Sequence, residues 1–346
     1  MAETGVIDTR ATKKQPWILR TLKTRATSIF LLDVVLFLFF NWQSDGLFMQ
    51  ELSIQSLLLT GTEALILALG LALMLGAGIF DLSLGANLVL SSVVGALVMR
   101  NISGNSNAGE SLRDVGLGIT LGILATLATG IVFGFIDGIL VTYGRMNALI
   151  ATLGTLGIAT GIAYVLSGGT DISGFPTDLQ ENFGLANFYA VPLPAIMALV
   201  LALILFLIVR YTKFGMRTLA LGSSRIAAER VGIRVNRHLL ILATLAGALA
   251  ALSAVVNLAH FSGTGINGHN NDALNAVAAA VIGGTLLEGG RISILGAIWG
   301  TALAVILQSG LVLIGVSSYF QLMAVGLVLI IAVGIDGFSS RKRQRA

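Results

Sequence analysis

The sequence contains no cysteine, only four prolines and few charged residues for a length of 346 residues. Without cysteine the chain can form neither a disulfide framework nor a thiolate metal site. Charged residues make up 11% of the chain, whereas soluble domains carry roughly 25%. Disorder requires low hydrophobicity, yet 55% of these residues are hydrophobic. What remains is a helical protein that crosses a membrane several times.

The net charge of +4 comes from lysine and arginine residues that cluster in the segments 10–25, 210–237 and 341–345. In a soluble protein a basic balance of this kind would suggest nucleic acid as the partner. In a membrane protein, positive residues stay on the cytoplasmic side. We therefore expect all three segments and both termini to be cytoplasmic, with membrane lipid and no nucleic acid around the chain.

Apolar runs of spanning length recur along the chain and predict about ten transmembrane helices in an all-α polytopic membrane protein. The runs lie at 27–43, 62–79, 84–99, 115–136, 147–167, 188–209, 239–259, 273–287, 292–309 and 318–336. With this threading, only Arg100 and Arg113 of the 21 lysine and arginine residues fall outside the cytoplasm. The predicted domains are a basic cytoplasmic segment at 1–26, a transmembrane domain at 27–336 with a cytoplasmic loop at 210–238, and a basic tail at 337–346.

Two of these regions are short or broken by glycine. The runs at 273–287 and 292–309 are separated by the residues EGGR, and the stretch 76–85 interrupts an apolar run with glycines and Asp81. In transporters, short and glycine-interrupted helices mark the central pathway, because irregular backbone at membrane depth must face protein or water. Simple cytoplasmic turns would give the same pattern, so both interpretations stay open.

No catalytic or metal-binding pattern stands out. The chain has no H-E-x-x-H and no G-x-S-x-G motif, and it has no G-x-x-x-x-G-K-[ST] loop with which to bind ATP itself. His260 and His269 fall in a predicted outer loop without a paired acidic cluster. We therefore predict that these histidines face solvent and bind no metal, and that the chain is not an enzyme.

Four carboxylates fall in or beside predicted spans, where an ionised group is costly. They could form the proton relay of an ion-coupled transporter, or they could lie at span ends and cap broken helices. Asp81 is expected to cap the helix that follows it, Asp137 to lie near Arg145, and Glu63 to begin its span. Only Asp33 has no such explanation.

The central cytoplasmic loop predicts a helix of two turns between long spans. Ser223 or Ser224 is a suitable N-cap, and Gly232 is a natural C-terminal stop. Ala227 and Ala228 would give this helix a thin face that suits docking into a groove of another protein. An ordinary loop helix is the alternative.

Several stretches, in order along most of the chain, resemble the permeases of bacterial ABC importers for simple sugars, the ribose, xylose and arabinose group. The central loop resembles the loop of that family that couples to the ATPase. The other matching stretches are 78–85 (GIFDLSLG), 152–157 (TLGTLG), 166–169 (LSGG), 282–285 (IGGT) with 289–291 (GGR), and 310–317. Phe80 departs from the family's Gly-Ile-Asp run and Asp137 replaces its usual Asn, which puts substrate details in doubt.

The resemblance implies a fold similar to type II importers such as the cobalamin permease, in the bacterial inner membrane. Two permease copies, as a homodimer, would form the pathway for a sugar that a periplasmic or lipid-anchored binding protein delivers. A cytoplasmic ABC ATPase would dock on the coupling loops and would itself bind ATP and Mg, so that this chain needs no cofactor. It also implies the ATPase-coupling residues Arg217, Gly222, Ser223, Ser224, Arg225, Ala227, Ala228, Glu229 and Gly232.

Further residues are singled out within this framework. The glycine-rich motifs supply the structural residues Asp81, Ser83, Gly85, Gly283, Gly284, Gly289 and Gly290. Polar side chains in the spans are candidates for lining the pathway, although serine and threonine in helices often bond only to their own backbone. These candidates are Asn87, Ser91, Thr155, Asn257 and Asn275.

Three alternatives remain at the level of the sequence. A branched-chain amino acid ABC permease is related and could carry the same motifs. A carboxylate-driven secondary transporter would use Asp33, Glu63 or Asp137. A membrane enzyme lacks any catalytic constellation. The coupling loop favours the two ABC permeases over a transporter that needs no ATPase.

Overall fold

The computed structural model describes residues 25–266, 269, 272–317, 319–321, 323–324 and 326–327. Within them the chain is almost entirely helical. The helices are α1 (Arg25–Gln43), α2 (Glu51–Gly76), α3 (Leu84–Ser103), α4 (Val115–Thr142), α5 (Ala148–Ser167), α6 (Leu193–Tyr211), α7 (Lys213–Ser223), α8 (Arg225–Arg230), α9 (Val235–Phe261), α10 (Asp272–Ile282) and α11 (Ile294–Leu313). The strands are β1 (Ile172–Ser173), β2 (Asn187–Phe188), β3 (Val191–Pro192) and β4 (Gly263–Thr264).

Eight of the described helices, α1 to α6, α9 and α11, are long and apolar enough to cross a membrane. They correspond to eight of the ten predicted spans, which confirms the all-α polytopic class. The predicted span at 273–287 is the shorter helix α10, with 11 residues. The predicted span at 318–336, the N-terminal segment up to residue 24 and the tail at 337–346 lie largely or wholly outside the described residues.

Helix α2 begins earlier than the hydropathy of the chain predicts. The expected span starts at residue 62, but the helix already begins at Glu51 and runs for 26 residues. The polar residues in its first turns lower the local hydropathy, so the apolar run begins later than the helix. Such residues are compatible with a helix end near the membrane surface. Glu63 therefore lies inside the helix and is buried, so the prediction that it begins its span is wrong.

Helices α2, α3 and α9 form the interior of the bundle, and most of their residues are buried. Helices α1, α4, α5 and α6 leave wide apolar faces exposed. A membrane protein tolerates such faces because lipid is as apolar as the side chains themselves. Helices α10 and α11 pack together and both contact α2, which places polar residues of these three helices beside one another.

Helices α4 and α9 cross at glycines. A β-carbon built on Gly134 would lie 2.6 Å from the carbonyl oxygen of Ala243 and 2.8 Å from the α-carbon of Gly247. Any side chain at Gly134 would therefore force the two helices apart. Small residues at such crossings let membrane helices approach until their backbones touch.

Two short antiparallel strand pairs lie in the loops that follow α5 and α9. Strand β1 pairs with β4, with Ile172 opposite Thr264, and β2 pairs with β3. The hydroxyl oxygens of Ser92 and Thr264 are 2.6 Å apart, and the side-chain amide of Gln180 donates to the carbonyl oxygen of His260 over 2.6 Å. These bonds fix the point from which the chain turns back towards α10.

Candidate functional site

The predicted coupling loop folds into two helices, α7 and α8. The side chain of Thr212 accepts a hydrogen bond from the amide of Gly215 at the start of α7. The hydroxyl of Ser224 accepts one from the amide of Ala227 over 3.3 Å, so Ser224 is the N-cap of α8. Sequence analysis predicts one helix here, and the structure adds α7 directly before it.

The end of α8 is a glycine stop of the Schellman type. The amide of Gly232 donates to the carbonyl of Glu229, and the amide of Ile233 donates to the carbonyl of Ala228. Gly232 has a φ of 82° with no atom near a built β-carbon. The predicted stop at Gly232 is therefore confirmed, since this backbone conformation favours glycine.

The two alanines of α8 do not share one exposed edge. Ala227 is exposed, but Ala228 is 2% exposed and belongs to the main hydrophobic core. The prediction that both would enter a partner groove is wrong, because adjacent helical residues point about 100° apart. The outward apolar side chains are instead Ile226 and Val231, which are 66% and 77% exposed.

The exposed surface around α7 and α8, the helices of the predicted coupling loop, is basic. Arg217, Arg234 and Arg237 line an open depression of about 460 Å³ beside the end of α8. Arg225 and Glu229 are exposed and 3.9 Å apart, a separation at which a surface ion pair contributes little. An apolar ridge of Ile226 and Val231 next to an arginine-lined depression suits a partner surface with a groove and acidic residues.

The C-terminal end of α7 meets two glycine-rich turns. The amide of Gly290 donates to the carbonyl oxygen of Gly76 over 3.0 Å. Gly222 lies over this bond, and a β-carbon on Gly222 would overlap both the Gly76 oxygen and the Gly290 nitrogen. A β-carbon on Gly289 would lie 2.8 Å from the α-carbon of Gly222. We call this contact of Gly76, Gly222, Gly289 and Gly290 the glycine junction.

The remaining glycines of the late motif also serve close backbone contact. A β-carbon on Gly283 would overlap the backbone of Gly296 at the start of α11. Gly284, Gly289 and Gly290 all have positive φ values, of 94°, 91° and 80°. The segment between α10 and α11 is therefore an irregular turn packed on protein, and the stretch between α2 and α3 is likewise non-helical.

Asp81 and Asp137 are joined through Ser83 at the base of α3. The hydroxyl oxygen of Ser83 lies 2.7 Å from Asp81 Oδ1 and 2.7 Å from Asp137 Oδ2. The Ser83 amide also donates to Asp81 Oδ1 over 2.8 Å. Asp81 thus binds the backbone just ahead of α3, close to the predicted capping role. Within the described residues Asp137 forms no ion pair. Arg145, which sequence analysis predicts near Asp137, therefore does not stabilise this carboxylate through an ion pair.

A second polar network lies where α2 meets the C-terminal end of α9 and the N-terminal end of α10. Glu63 Oε1 is 3.1 Å from His260 Nδ1, and Glu63 Oε2 accepts from Asn257 Nδ2 over 3.0 Å. Asn257 Nδ2 is also 3.1 Å from His269 Nε2, and His269 Nδ1 is 2.6 Å from Asp272 Oδ2. The prediction that His260 and His269 face solvent is wrong, because the buried carboxylate of Glu63 holds His260 and the partly buried carboxylate of Asp272 holds His269. Among the described residues no group of histidine and acidic side chains could hold a metal ion.

This network borders a cavity of about 270 Å³ between α2, α9, α10 and α11, which we call the polar cavity. Two of the five predicted pathway residues belong here: Asn275 lines the cavity, and Asn257 bonds to its wall. The polar lining is formed by Thr60, Glu63, His269, Asp272, Asn275, Thr301 and Gln308. Sequence reasoning missed the roles of His269, Asp272 and Thr301, because no local motif signals contacts between such distant residues.

The other three predicted pathway residues lie inside helix packing. Asn87 donates to the carbonyl of Gly130 over 3.2 Å, and the hydroxyl of Ser91 donates to Asn87 Oδ1 over 3.1 Å. The hydroxyl of Thr155 donates to the carbonyl of Thr152 over 3.2 Å. Asn87 and Ser91 are fully buried and Thr155 nearly so, so each is satisfied by protein rather than placed along an open cavity. Gly85 lies against the backbone of residues 269 and 273.

Asp33 remains without an explanation. It is buried, at 4% exposure, and neither carboxyl oxygen has a hydrogen-bond partner among the described residues.

The chain is similar to known membrane permeases. Residues 53–333 match the family described as "Branched-chain amino acid transport system / permease component". The chain is 35% identical to the ribose import permease protein of Bacillus subtilis over 84% of this chain and 86% of that protein. It is 31% identical to the autoinducer 2 import system permease protein of Salmonella choleraesuis over 92% and 88% of the two chains. It is 27% identical to the galactose/methyl galactoside import permease protein of Escherichia coli strain K12, over 91% and 93%. No solved structure matches the chain.

Proposed function

The chain belongs to the permease-component family named for branched-chain amino acid transport systems, and we propose that it forms the membrane pathway of an ABC importer for a simple sugar. The substrate would be a pentose-like monosaccharide or a related neutral polyol. The observation that carries this proposal is the capped helix α8, whose exposed ridge stands beside the glycine junction. A permease without its own ATP-binding loop needs such a surface, through which a bound ATPase can change the conformation of the permease.

The sugar is favoured over an amino acid by the relatives and by the polar cavity. The relatives named above import ribose, galactose or methyl galactoside, and autoinducer 2, according to their names. An amino acid would bring a carboxylate, which proteins often meet with arginine or lysine. The polar lining of the cavity consists of carboxylates, amides, hydroxyls and His269, and its described residues include neither lysine nor arginine. This lining suits an uncharged ligand that donates hydroxyl hydrogens.

ATP hydrolysis would be the work of a separate cytoplasmic ABC ATPase that binds ATP and Mg. We propose that it docks on α8 through Ile226, Ala227 and Val231, with the basic residues Arg217 and Arg225 at the edge of the contact. Movement of α7 would reach the turns after α2 and before α11 through the glycine junction. Those two helices and α10 also line the polar cavity, so the same displacement would change its shape.

Two further partners complete the proposal. A second copy of the chain would pair with the first, and a periplasmic or lipid-anchored binding protein would deliver the sugar to the outer loops around β1 and β4. Both termini would be cytoplasmic, in the bacterial inner membrane. This orientation rests on the distribution of lysine and arginine.

The proposal is tested by uptake in proteoliposomes that contain the permease, its ATPase and its binding protein. We expect uptake of radiolabelled D-ribose or D-galactose. This uptake should require ATP on the side of the membrane that carries the ATPase, and it should persist when a protonophore removes the proton gradient. Asp33→Asn should retain more than about a tenth of wild-type uptake, a loss of under about 1.4 kcal/mol in the barrier. Uptake by the permease alone, driven by a proton gradient, would instead support a secondary transporter. ATP-driven uptake of leucine without sugar uptake would support the amino acid permease.

A further inference from the structure

The polar cavity contains a buried polar group that has no partner within the described part of the chain. Thr301 is 3% exposed, and its hydroxyl oxygen has no hydrogen-bond partner among the described residues. Most hydroxyls of this kind in the protein bond to the carbonyl four residues earlier, as Thr126 and Thr244 do. A buried hydroxyl without a partner is destabilising by about 1–3 kcal/mol. It therefore indicates that something else meets this group.

The surrounding groups have a consistent chemistry. The carboxylates of Glu63 and Asp272 accept hydrogen bonds, and the amides of Asn275 and Gln308 can both accept and donate. Glu63 and Asp272 also orient His260 and His269, which fixes the carboxylates in place. Such a lining complements a ligand with several hydroxyl groups, because each hydroxyl offers one donor and two acceptor sites.

The size of the cavity further limits the range of ligands that could bind there. Its volume of about 270 Å³ lies just below the range of about 300–1,000 Å³ that is typical of sites for drug-sized ligands. A volume of this size suits a ligand of about one monosaccharide ring. Phe261, whose side chain is largely exposed at the rim, offers an apolar face to the C–H face of a sugar ring.

We propose that the polar cavity is an intramembrane binding site for one monosaccharide-sized neutral polyol, contacted by Asn275, Thr301 and the carboxylates of Glu63 and Asp272. The proposal rests on the proposed function and names the residues that meet the sugar during import. The cavity is also bounded by α2, which ends at the glycine junction, and by α10 and α11, whose connecting turn contributes Gly289 and Gly290 to it. Occupancy of the cavity would therefore be linked to the position of α7 through these segments.

The absence of cysteine from the chain allows a direct test in the assembled transporter. A single cysteine introduced as Asn275→Cys is labelled with a small, water-soluble thiol reagent in the presence and absence of D-ribose or D-galactose. We expect one of these sugars to slow labelling at least threefold. The control is Ser111→Cys, which is exposed in the loop between α3 and α4 and does not line the cavity, so it should label at the same rate with and without sugar. Equal labelling of Asn275→Cys at saturating concentrations of both sugars would overturn the site.

A second arm measures ATP-driven uptake by variants of nearly unchanged shape. Thr301→Val and Asn275→Leu each remove hydrogen bonds to the sugar, and about 0.5–1.5 kcal/mol for each bond corresponds to a two- to twelvefold loss of uptake at low sugar concentration. Thr129→Val is the matched control, because the Thr129 hydroxyl bonds only to the carbonyl of Ala125 in its own helix. Each variant is first compared with the wild type for thermal stability.

The outcomes separate the site from the proposed function. If the wild type takes up sugar and both cavity variants do so equally well, the proposed function is supported, but the cavity is not the binding site. Absence of ATP-driven sugar uptake by the wild type would overturn the proposed function. Protection of Asn275→Cys by ethylammonium and by neither sugar would show a cation site and would overturn the polyol proposal.

Discussion

Gly222 lies directly on the carbonyl oxygen of Gly76, at the point where that oxygen accepts the amide of Gly290. Three segments far apart in the sequence therefore meet without a side chain between them. One belongs to the coupling helices, one ends α2, and one joins α10 to α11. Such direct backbone contact transmits displacement with little loss, since no flexible side chain can absorb it.

Gly222→Ala should separate these segments. The added methyl group overlaps backbone atoms that cannot move aside, and overpacking of this kind typically destabilises by about 1–3 kcal/mol. We expect a lower melting temperature and a loss of ATP-driven uptake that exceeds the loss of ATPase binding. Gly116→Ala is the control, because a β-carbon there meets no atom within 4 Å. Wild-type uptake by Gly222→Ala would show that the junction does not couple the two parts.

The two faces of α8 should respond differently to substitution. Ile226→Asp alters an exposed side chain, so it should change the melting temperature little, by under about 0.5 kcal/mol in stability. It should nevertheless reduce co-purification of the ATPase by at least about fivefold, the result of losing about 1 kcal/mol at the contact. Undiminished recovery of the ATPase would place the docking surface elsewhere.

Ala228→Phe should act through folding instead. Ala228 is buried in the main core, and a phenyl ring there requires the coupling helices to move away from the bundle. We expect a drop in thermal stability of the order of 1–3 kcal/mol, measured on the purified permease without any partner. A variant as stable as the wild type would contradict the burial of this side chain.

The orientation in the membrane can be read from single cysteines. Ser173→Cys should react with an impermeant maleimide in intact cells, because β1 lies in the predicted outer loop. Ser223→Cys, at the end of α7, should react only after lysis. Both serines are exposed, so a difference in reactivity reports the side of the membrane. The reverse pattern would overturn the predicted topology.

His269 should make the stability of the protein depend on pH. Burial by itself lowers the pKa of His269, but the hydrogen bond and charge of Asp272, together with the charge of Glu63, outweigh it and raise the pKa. A raised pKa means that the protonated ring stabilises the fold. This contribution is complete below the ordinary value of about 6.5 and is lost as the pH rises through the raised pKa.

The comparison of wild type with His269→Gln tests this dependence. The difference in melting temperature between the two should be largest near pH 6 and should shrink as the pH rises. A difference that is constant with pH, or that grows towards alkaline pH, would show that His269 is held as a neutral ring.

Local signals in the sequence determined the helices and their ends. Apolar runs located eight long helices, because desolvated backbone must form helical hydrogen bonds whatever surrounds it. Ser224 and Gly232 mark the ends of α8 because capping involves residues only a few positions apart. The glycines at 283–284 and 289–290 also stand out in the sequence, although it does not show which backbone they approach.

Only the tertiary structure decided which polar side chains meet. Glu63 and His260 are separated by 197 residues, and whether they touch depends on the rotation of α2 and α9 about their axes. The orientation of α8 buries Ala228 and exposes Ala227. The packing of α10 places Asn275 on a cavity, and the packing of α3 encloses Asn87 between helices. Helix formation is governed by neighbours within about one turn, whereas these partnerships depend on how whole helices pack, which no short stretch of the sequence encodes.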